Sequence, residues 1–314
     1  MADWNRLFLG KQAKELGFVR DTYEKVCRLI EILKFFEKDD LLSSTIALKG
    51  GTAINLTIFE LPRLSVDIDL DFLENLDRDG MMTSRAGIND RIGRFMIANG
   101  YKLSVKSKQY HALDSLVYEY SNSGGAMDNI KVEINYMLRC HILPIDSKKF
   151  ESTWEPAGVS ILSVAPIEIF ASKIVALLNR TAARDLYDIS NLLKFKLLEK
   201  SDEEILRKCV VFYCAITSKT PPSEFQLSNI DELTLHRIKT DLYPLLRNDE
   251  KFDLRASQIQ VKKWLVELLK LEDNEWKFLE AFRNKDYRPE LLFQSDEILK
   301  RISSHPMALW KCSQ

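Results

Sequence analysis

The chain has 314 residues, with 45 basic against 46 acidic side chains, four histidines and five cysteines. At ~100–200 residues per domain this length suggests two domains, and 46% apolar with 29% charged residues excludes a disordered or membrane-embedded class. No apolar run approaches the ~20 residues that span a bilayer, and the opening MADWNRLFLGKQ lacks the apolar stretch of a secretion signal, so a cytoplasmic protein with no membrane partner is expected.

Cys27, Cys140, Cys209, Cys214 and Cys312 are scattered without C-x-x-C spacing, which argues against a zinc or redox site. A formal charge of -1 argues against a whole-molecule grip on nucleic acid and leaves a local basic patch open.

Residues 22–38 carry Tyr23, Val26, Cys27, Ile30, Leu33 and Phe36 at helical spacing, which predicts a helix. Residues 45–48 read as a short buried strand stopped by Gly50-Gly51, and 52–59 as a helix launched from that turn. Residues 64–72 alternate polar and apolar with period two, a strand signature. A helix is expected over 81–99, and strands over 101–108, 113–120, 130–136 and 160–164. From Pro166 helical periodicity takes over, in 166–178, 184–193, 202–217, 231–246, 256–269 and 296–303, with a break at Pro221-Pro222. The reading is a mixed-sheet α/β domain over 1–165 followed by an all-helical domain over 166–314.

The chemistry concentrates in Leu48-Lys49-Gly50-Gly51-Thr52 and Ser65-Val66-Asp67-Ile68-Asp69. A glycine pair at a strand-to-helix turn lets backbone N–H groups approach a phosphate closely. On a strand, Asp67, Asp69 and Asp71 line one face while Ile68, Leu70 and Phe72 bury the other. Two such carboxylates in one small volume suit a hard divalent cation such as Mg²⁺, which binds oxygen ligands and substrate phosphates together. Alone, the acidic face reads rather as the solvated side of an edge strand. The order strand, glycine turn, helix, acidic strand is what favours metal-assisted phosphoryl chemistry.

Four segments carry a family resemblance: Lys49-Gly50-Gly51-Thr52-Ala53; Arg63-Leu64-Ser65-Val66-Asp67-Ile68-Asp69-Leu70; Lys173 with Arg184-Asp185-Leu186-Tyr187-Asp188; and Tyr287-Arg288-Pro289-Glu290-Leu291-Leu292-Phe293. Together they resemble the AbiEii/AbiGii nucleotidyltransferase toxins, relatives of the MenT toxins in the polymerase-β-like superfamily. Fifteen residues lie between Gly51 and Asp67, more than in the wider superfamily, a longer gap that the AbiEii-type pattern shares. The resemblance implies a nucleotidyltransferase α/β domain followed by a helical domain that completes the nucleotide cleft.

It further implies a toxin of a toxin–antitoxin or abortive-infection pair, transferring a nucleoside monophosphate from an NTP with Mg²⁺ or Mn²⁺ and neutralised by a cognate antitoxin protein. RNA is the leading acceptor, the 3′ end of tRNA by likeness to the MenT branch. In that reading Lys49, Gly50, Gly51, Thr52, Ser65, Arg184 and Asp185 hold the nucleotide, and Asp67 and Asp69 bind metal. Lys173 clamps the triphosphate. Asp188 serves as base or base-orienting group. Glu133 in Lys131-Val132-Glu133-Ile134-Asn135 is the candidate third metal ligand, although a strand glutamate between apolar neighbours equally faces solvent.

Without the resemblance, Lys173 reads as a surface lysine, and Asp185 with Asp188 as an acidic first turn suited to the helix dipole. Lys102, Lys106 and Lys108 share strand parity, as phosphate-binding lysines or as charges protecting an exposed edge. His111, His141, His236 and His305 show no ligand or triad spacing. The alternatives are modification of protein hydroxyls by the same machinery, and a nucleotide-binding interaction module with little transfer activity.

Overall fold

The structure, a computed structural model, describes residues 4–59 and 61–314, which include every candidate site residue. It divides into two compact units, the first comprising Met1–Arg139, Ile145–Val164 and Pro244–Glu250, the second Cys140–Pro144, Ala165–Tyr243 and Lys251–Gln314.

The first unit holds one mixed sheet. Its strands are β1 (Ile46–Lys49), β2 (Asp67–Phe72), β3 (Lys102–Leu103), β4 (Lys108–Gln109), β5 (Leu113–Ser121), β6 (Met127–Asn135), β7 (Asp146–Phe150) and β8 (Val159–Ser163). They are ordered β3-β5-β6-β2-β1-β8-β7, with β4 also on β5. The acidic strand β2 is central, antiparallel to β1 and parallel to β6. Ile68, Leu70 and Phe72 are fully buried, as a period-two strand with one core face requires. The helix Arg20–Lys38 buries Tyr23, Val26, Cys27, Ile30, Leu33 and Phe36 and packs on β8.

The second unit is helical. Pro166 occupies the first turn of the helix Pro166–Arg180, where a missing N–H costs nothing. That helix packs against Ala183–Lys194 and Glu203–Thr217. Phe212 anchors the core between Phe278, Phe293 and His305. Glu168, fully buried, accepts hydrogen bonds from the backbone N–H groups of Ile142 (3.1 Å) and Leu143 (2.7 Å) and from the Tyr213 hydroxyl. These bonds explain why Cys140–Pro144 packs with the helices.

Several elements depart from the sequence pattern. The strand expected over 101–108 is two short strands, because Ser104 and Ser107 turn the chain between them: Ser107 N–H donates to Ser104 O (3.0 Å) and Val117 N–H to the Ser107 hydroxyl (2.9 Å). Residues 64–66 lie outside the sheet, Leu64 N–H donating to Leu245 O (2.8 Å). Residues 52–59 divide into an α-turn, Gly50–Ala53, and a π-helical turn, Ile54–Ile58. Residues 231–246 break into Ser228–Glu232, Leu235–Asp241 and Tyr243–Leu245, the last interrupted by Pro244. The periodicity also passed over the helices Arg6–Leu16, Asp273–Arg283 and Pro306–Ser313, and β7, whose DSKKF run has no apolar alternation.

Candidate active site

In the first unit, β1 ends at Lys49 and the chain turns at Gly50 with φ +67°, a left-handed conformation that side chains rarely adopt. A Cβ there would strike the Asp69 carboxylate. One added at Gly51 would lie 2.8 Å from Nη2 of Arg63 and 3.0 Å from Oγ of Ser65. The two glycines therefore bring backbone against the acidic strand, and the register pairs Lys49 with Asp69.

The turn is fastened by side chains. The Thr52 hydroxyl, fully buried, lies within hydrogen-bond distance of the Asp67 carbonyl and 3.0 Å from Oγ of Ser65. Asn55 donates from Nδ2 to Gly51 O at 2.6 Å. Arg63, almost wholly buried, donates from Nη1 to Leu64 O at 3.0 Å. Sequence reasoning gave no role to Asn55 or Arg63. The signals were the i, i+4 spacing of Asn55 from Gly51 and a charged residue inside the motif preceding the strand.

Asp67 and Asp69 are half-buried on one face of β2, whereas Asp71 is buried and ion-paired with Lys49 at 2.5 Å. The structure thus commits Lys49 to Asp71 and distinguishes the other two acids of the strand. Across the sheet Glu133 stands opposite Asp69, and paired residues project to the same face. Its carboxylate is ion-paired with Lys131 at 2.8 Å. Among the described residues no group of three His, Cys, Asp or Glu is arranged to hold a metal. Two neighbouring aspartates beside a backbone turn fit a cation that completes its shell with substrate phosphates and water, as Mg²⁺ does.

The remaining candidates form a second cluster, within the helical unit. Lys173, on Pro166–Arg180, places Nζ 2.9 Å from Oδ1 of Asp185 and 3.1 Å from Oδ2 of Asp188. Both aspartates lie on the helix Ala183–Lys194, three residues apart, and both are buried. Arg180 completes the group with Nε 2.9 Å from Oδ2 of Asp185. Burial alone would raise the Asp185 carboxyl, but Lys173 and Arg180 outweigh it and hold Asp185 below the ordinary carboxylate range. Arg184, half-buried, joins none of these ion pairs among the described residues. Arg180 had no sequence signal, since the turn at Thr181 (φ +49°) is what brings it back to Asp185.

A strand, a glycine turn and paired strand carboxylates in one unit, with a charged cluster in a helical second unit, are the features that the resemblance to nucleotidyltransferases leads one to expect. The chain belongs to the nucleotidyl transferase AbiEii toxins of type IV toxin–antitoxin systems, whose family model matches residues 34–284. Its fold is similar to that of MenT4, nucleotidyltransferase toxin Rv2826c from Mycobacterium tuberculosis H37Rv, with a TM-score of 0.65 at 16% sequence identity over 97% of this chain and 99% of that one. No curated protein sequence matches. Among the described residues no helix is long and apolar enough to cross a membrane.

Proposed function

We propose that this toxin transfers a nucleoside monophosphate from an NTP to the 3′ end of an RNA acceptor, with tRNA the leading candidate, releasing pyrophosphate and arresting growth until a cognate antitoxin neutralises it. The observation that carries this reading is the approach of Gly50 to the Asp69 carboxylate, which supports a role for that backbone in binding phosphate and for those oxygens in binding metal. Asp67 and Asp69 would hold Mg²⁺ or Mn²⁺, which would supply positive charge against that of the triphosphate.

Backbone N–H groups at Gly50 and Gly51, with the Ser65 hydroxyl, orient the phosphates. The acceptor hydroxyl oxygen bonds to the α-phosphorus as the bond to the β-phosphate bridging oxygen breaks, and the electron pair leaves with pyrophosphate. Asp188 prepares the acceptor hydroxyl, as base or as the group that orients one. Lys173 meets charge on the triphosphate, its ammonium directed by Asp185 and Asp188.

Incubation of the purified protein with each α-labelled NTP, Mg²⁺ and either total RNA or total protein tests the reading. Label at RNA 3′ ends is expected. Label confined to protein would reassign the acceptor to protein hydroxyls, and nucleotide binding without transfer to either would leave an interaction module.

A further inference from the structure

Strand register sorts the side chains of the first unit's sheet onto two faces. On one, Val132 and Ile134 of β6 and Leu116 and Tyr118 of β5 are buried, and Asp114 is ion-paired with Arg85 of the helix Arg78–Ala98. The other face is open. It carries Asp67 and Asp69 of β2, Lys131 and Glu133 of β6, and Ser115 and Val117 of β5, all half-buried. Residues paired in register project to the same side, so two rows cross this face from the acidic strand outward. One runs through Asp69, Glu133, Ser115 and Lys108, the other through Asp67, Lys131 and Val117. Lys102, opposite Glu119 of β5, lies on the same face.

The Lys131 backbone therefore stands one strand spacing, ~4.8 Å, from that of Asp67, and the Lys108 backbone three spacings, ~14 Å, from that of Asp69. Lys131 is ion-paired with Glu133 at 2.8 Å, which occupies one of its three ammonium donors. Glu119 accepts a hydrogen bond from the Ser104 hydroxyl. Both glutamates on this face are thus engaged, whereas Lys102 and Lys108 are exposed and, among the described residues, have no ion-pair partner. The glycine turn lies on the opposite flank of β2: the strand order is β6-β2-β1, and β1 leads into Gly50, where an added Cβ would meet Asp69. In phosphoryl transfer the attacking and leaving oxygens are roughly in line across the phosphorus. With the triphosphate on the Gly50-Gly51 backbone, pyrophosphate leaves on the β1 side and the acceptor hydroxyl arrives from the β6 side.

We infer that the open face over β6 and β5 is the path of the acceptor, a single-stranded RNA 3′ end whose last phosphodiester meets Lys131 and whose preceding ones leave the sheet between Lys102 and Lys108. The path rests on the RNA-acceptor reading above and gives that acceptor its direction of entry. Cations that recur across successive strands suit a chain with one negative charge per linkage, as in the charged grooves that track unpaired nucleic acid. The half-buried Val117, between Lys131 and the edge, offers an apolar floor to a sugar or base. An NTP held at the glycine turn would leave Lys102 and Lys108 unused, since they lie three strands away from β2.

The test combines fluorescence anisotropy of a labelled 20-nucleotide single-stranded RNA against salt with transfer assays on total RNA and total protein. Replacing Lys102, Lys108 and Lys131 together by Ala should flatten the slope of log K against log salt by about 2, at ~0.7 for each phosphate contact in a single strand. The KM for RNA should rise about tenfold or more while the KM for NTP stays the same. Lys14→Ala, a single charge removed from the helix Arg6–Leu16, should alter neither. An uncharged methylphosphonate in place of the 3′-terminal phosphodiester should weaken binding to the wild type and not to Lys131→Ala, because a contact already removed is not lost twice. An unchanged slope in the triple variant, a KM for NTP that rises with that for RNA, equal methylphosphonate losses in wild type and Lys131→Ala, or failure of the wild type to bind the RNA would each overturn the path. Label confined to protein, with RNA binding still dependent on the three lysines, would instead overturn the acceptor reading and leave the RNA surface standing.

Discussion

The two charged clusters of this toxin handle their carboxylates in opposite ways. On β2, Asp67 and Asp69 stay half-buried, while Lys49 is spent on their neighbour Asp71. In the helical unit Asp185 and Asp188 are buried and share Lys173, with Arg180 added on Asp185. Half-buried like charges repel and favour a cation from outside. Buried ones survive only with cations supplied by the chain itself. The contrast separates two half-buried strand carboxylates from two buried helix carboxylates that share one lysine.

The contrast can be broken from the helical side first. Lys173→Ala removes the cation that the two buried carboxylates share and should cost about 3–5 kcal/mol of stability, read as a lower urea midpoint. A midpoint equal to wild type would mean that Lys173 is not structural. Asp67→Asn should do the reverse: it keeps side-chain volume, leaves the urea midpoint unchanged or slightly raised, and reduces transfer by about 10²–10³-fold. Full growth arrest by stably expressed Asp67→Asn protein would remove the metal assignment. If both clusters serve one reaction, Asp67→Asn/Lys173→Ala should be little worse in single-turnover transfer than the more damaging single change, since groups acting as a unit are not additive.

A smaller effect concerns pH. Because the folded-state carboxyl of Asp185 is depressed, its contribution to stability is present above the unfolded value, ~3.9, and is lost as pH falls through the lower folded value. Arg180→Ala removes one of the cations that depress it, so acid unfolding should begin at higher pH, by a fraction of a unit because Arg180 is 65% exposed. Circular dichroism from pH 6 to pH 2 checks both the sign and the size. The smallest change is expected at Glu133. Already paired with Lys131, Glu133→Gln should lower transfer by less than about tenfold, or ~1.4 kcal/mol, and a loss as deep as that of Asp67→Asn would make it a full metal ligand.

How much of this was legible in the sequence differs between the two clusters. The glycine turn and β2 could be read because their determinants are local: a turn needing φ above zero and a period-two strand are written in consecutive residues. The pairing of Asp185 with Asp188 was visible as helical spacing. Their union with Lys173 came only through family resemblance, because it depends on how two helices pack. Arg180 escaped altogether, placed by the turn at Thr181. The commitment of Lys49 to Asp71 was equally hidden, since adjacent-strand register is set by pairing and not by either strand alone.

The segments Pro244–Glu250 and Cys140–Pro144 have a consequence for how the gene can be divided. Each compact unit is assembled from stretches that are discontinuous in the chain. A fragment ending at residue 165 lacks Leu245, whose carbonyl receives Leu64 N–H at the head of the acidic strand. A fragment beginning at residue 166 lacks the Ile142 and Leu143 amides that occupy the buried Glu168 carboxylate. No single breakpoint yields two whole halves, so shuffling or splitting this coding sequence at its apparent domain boundary would strand a necessary piece on each side.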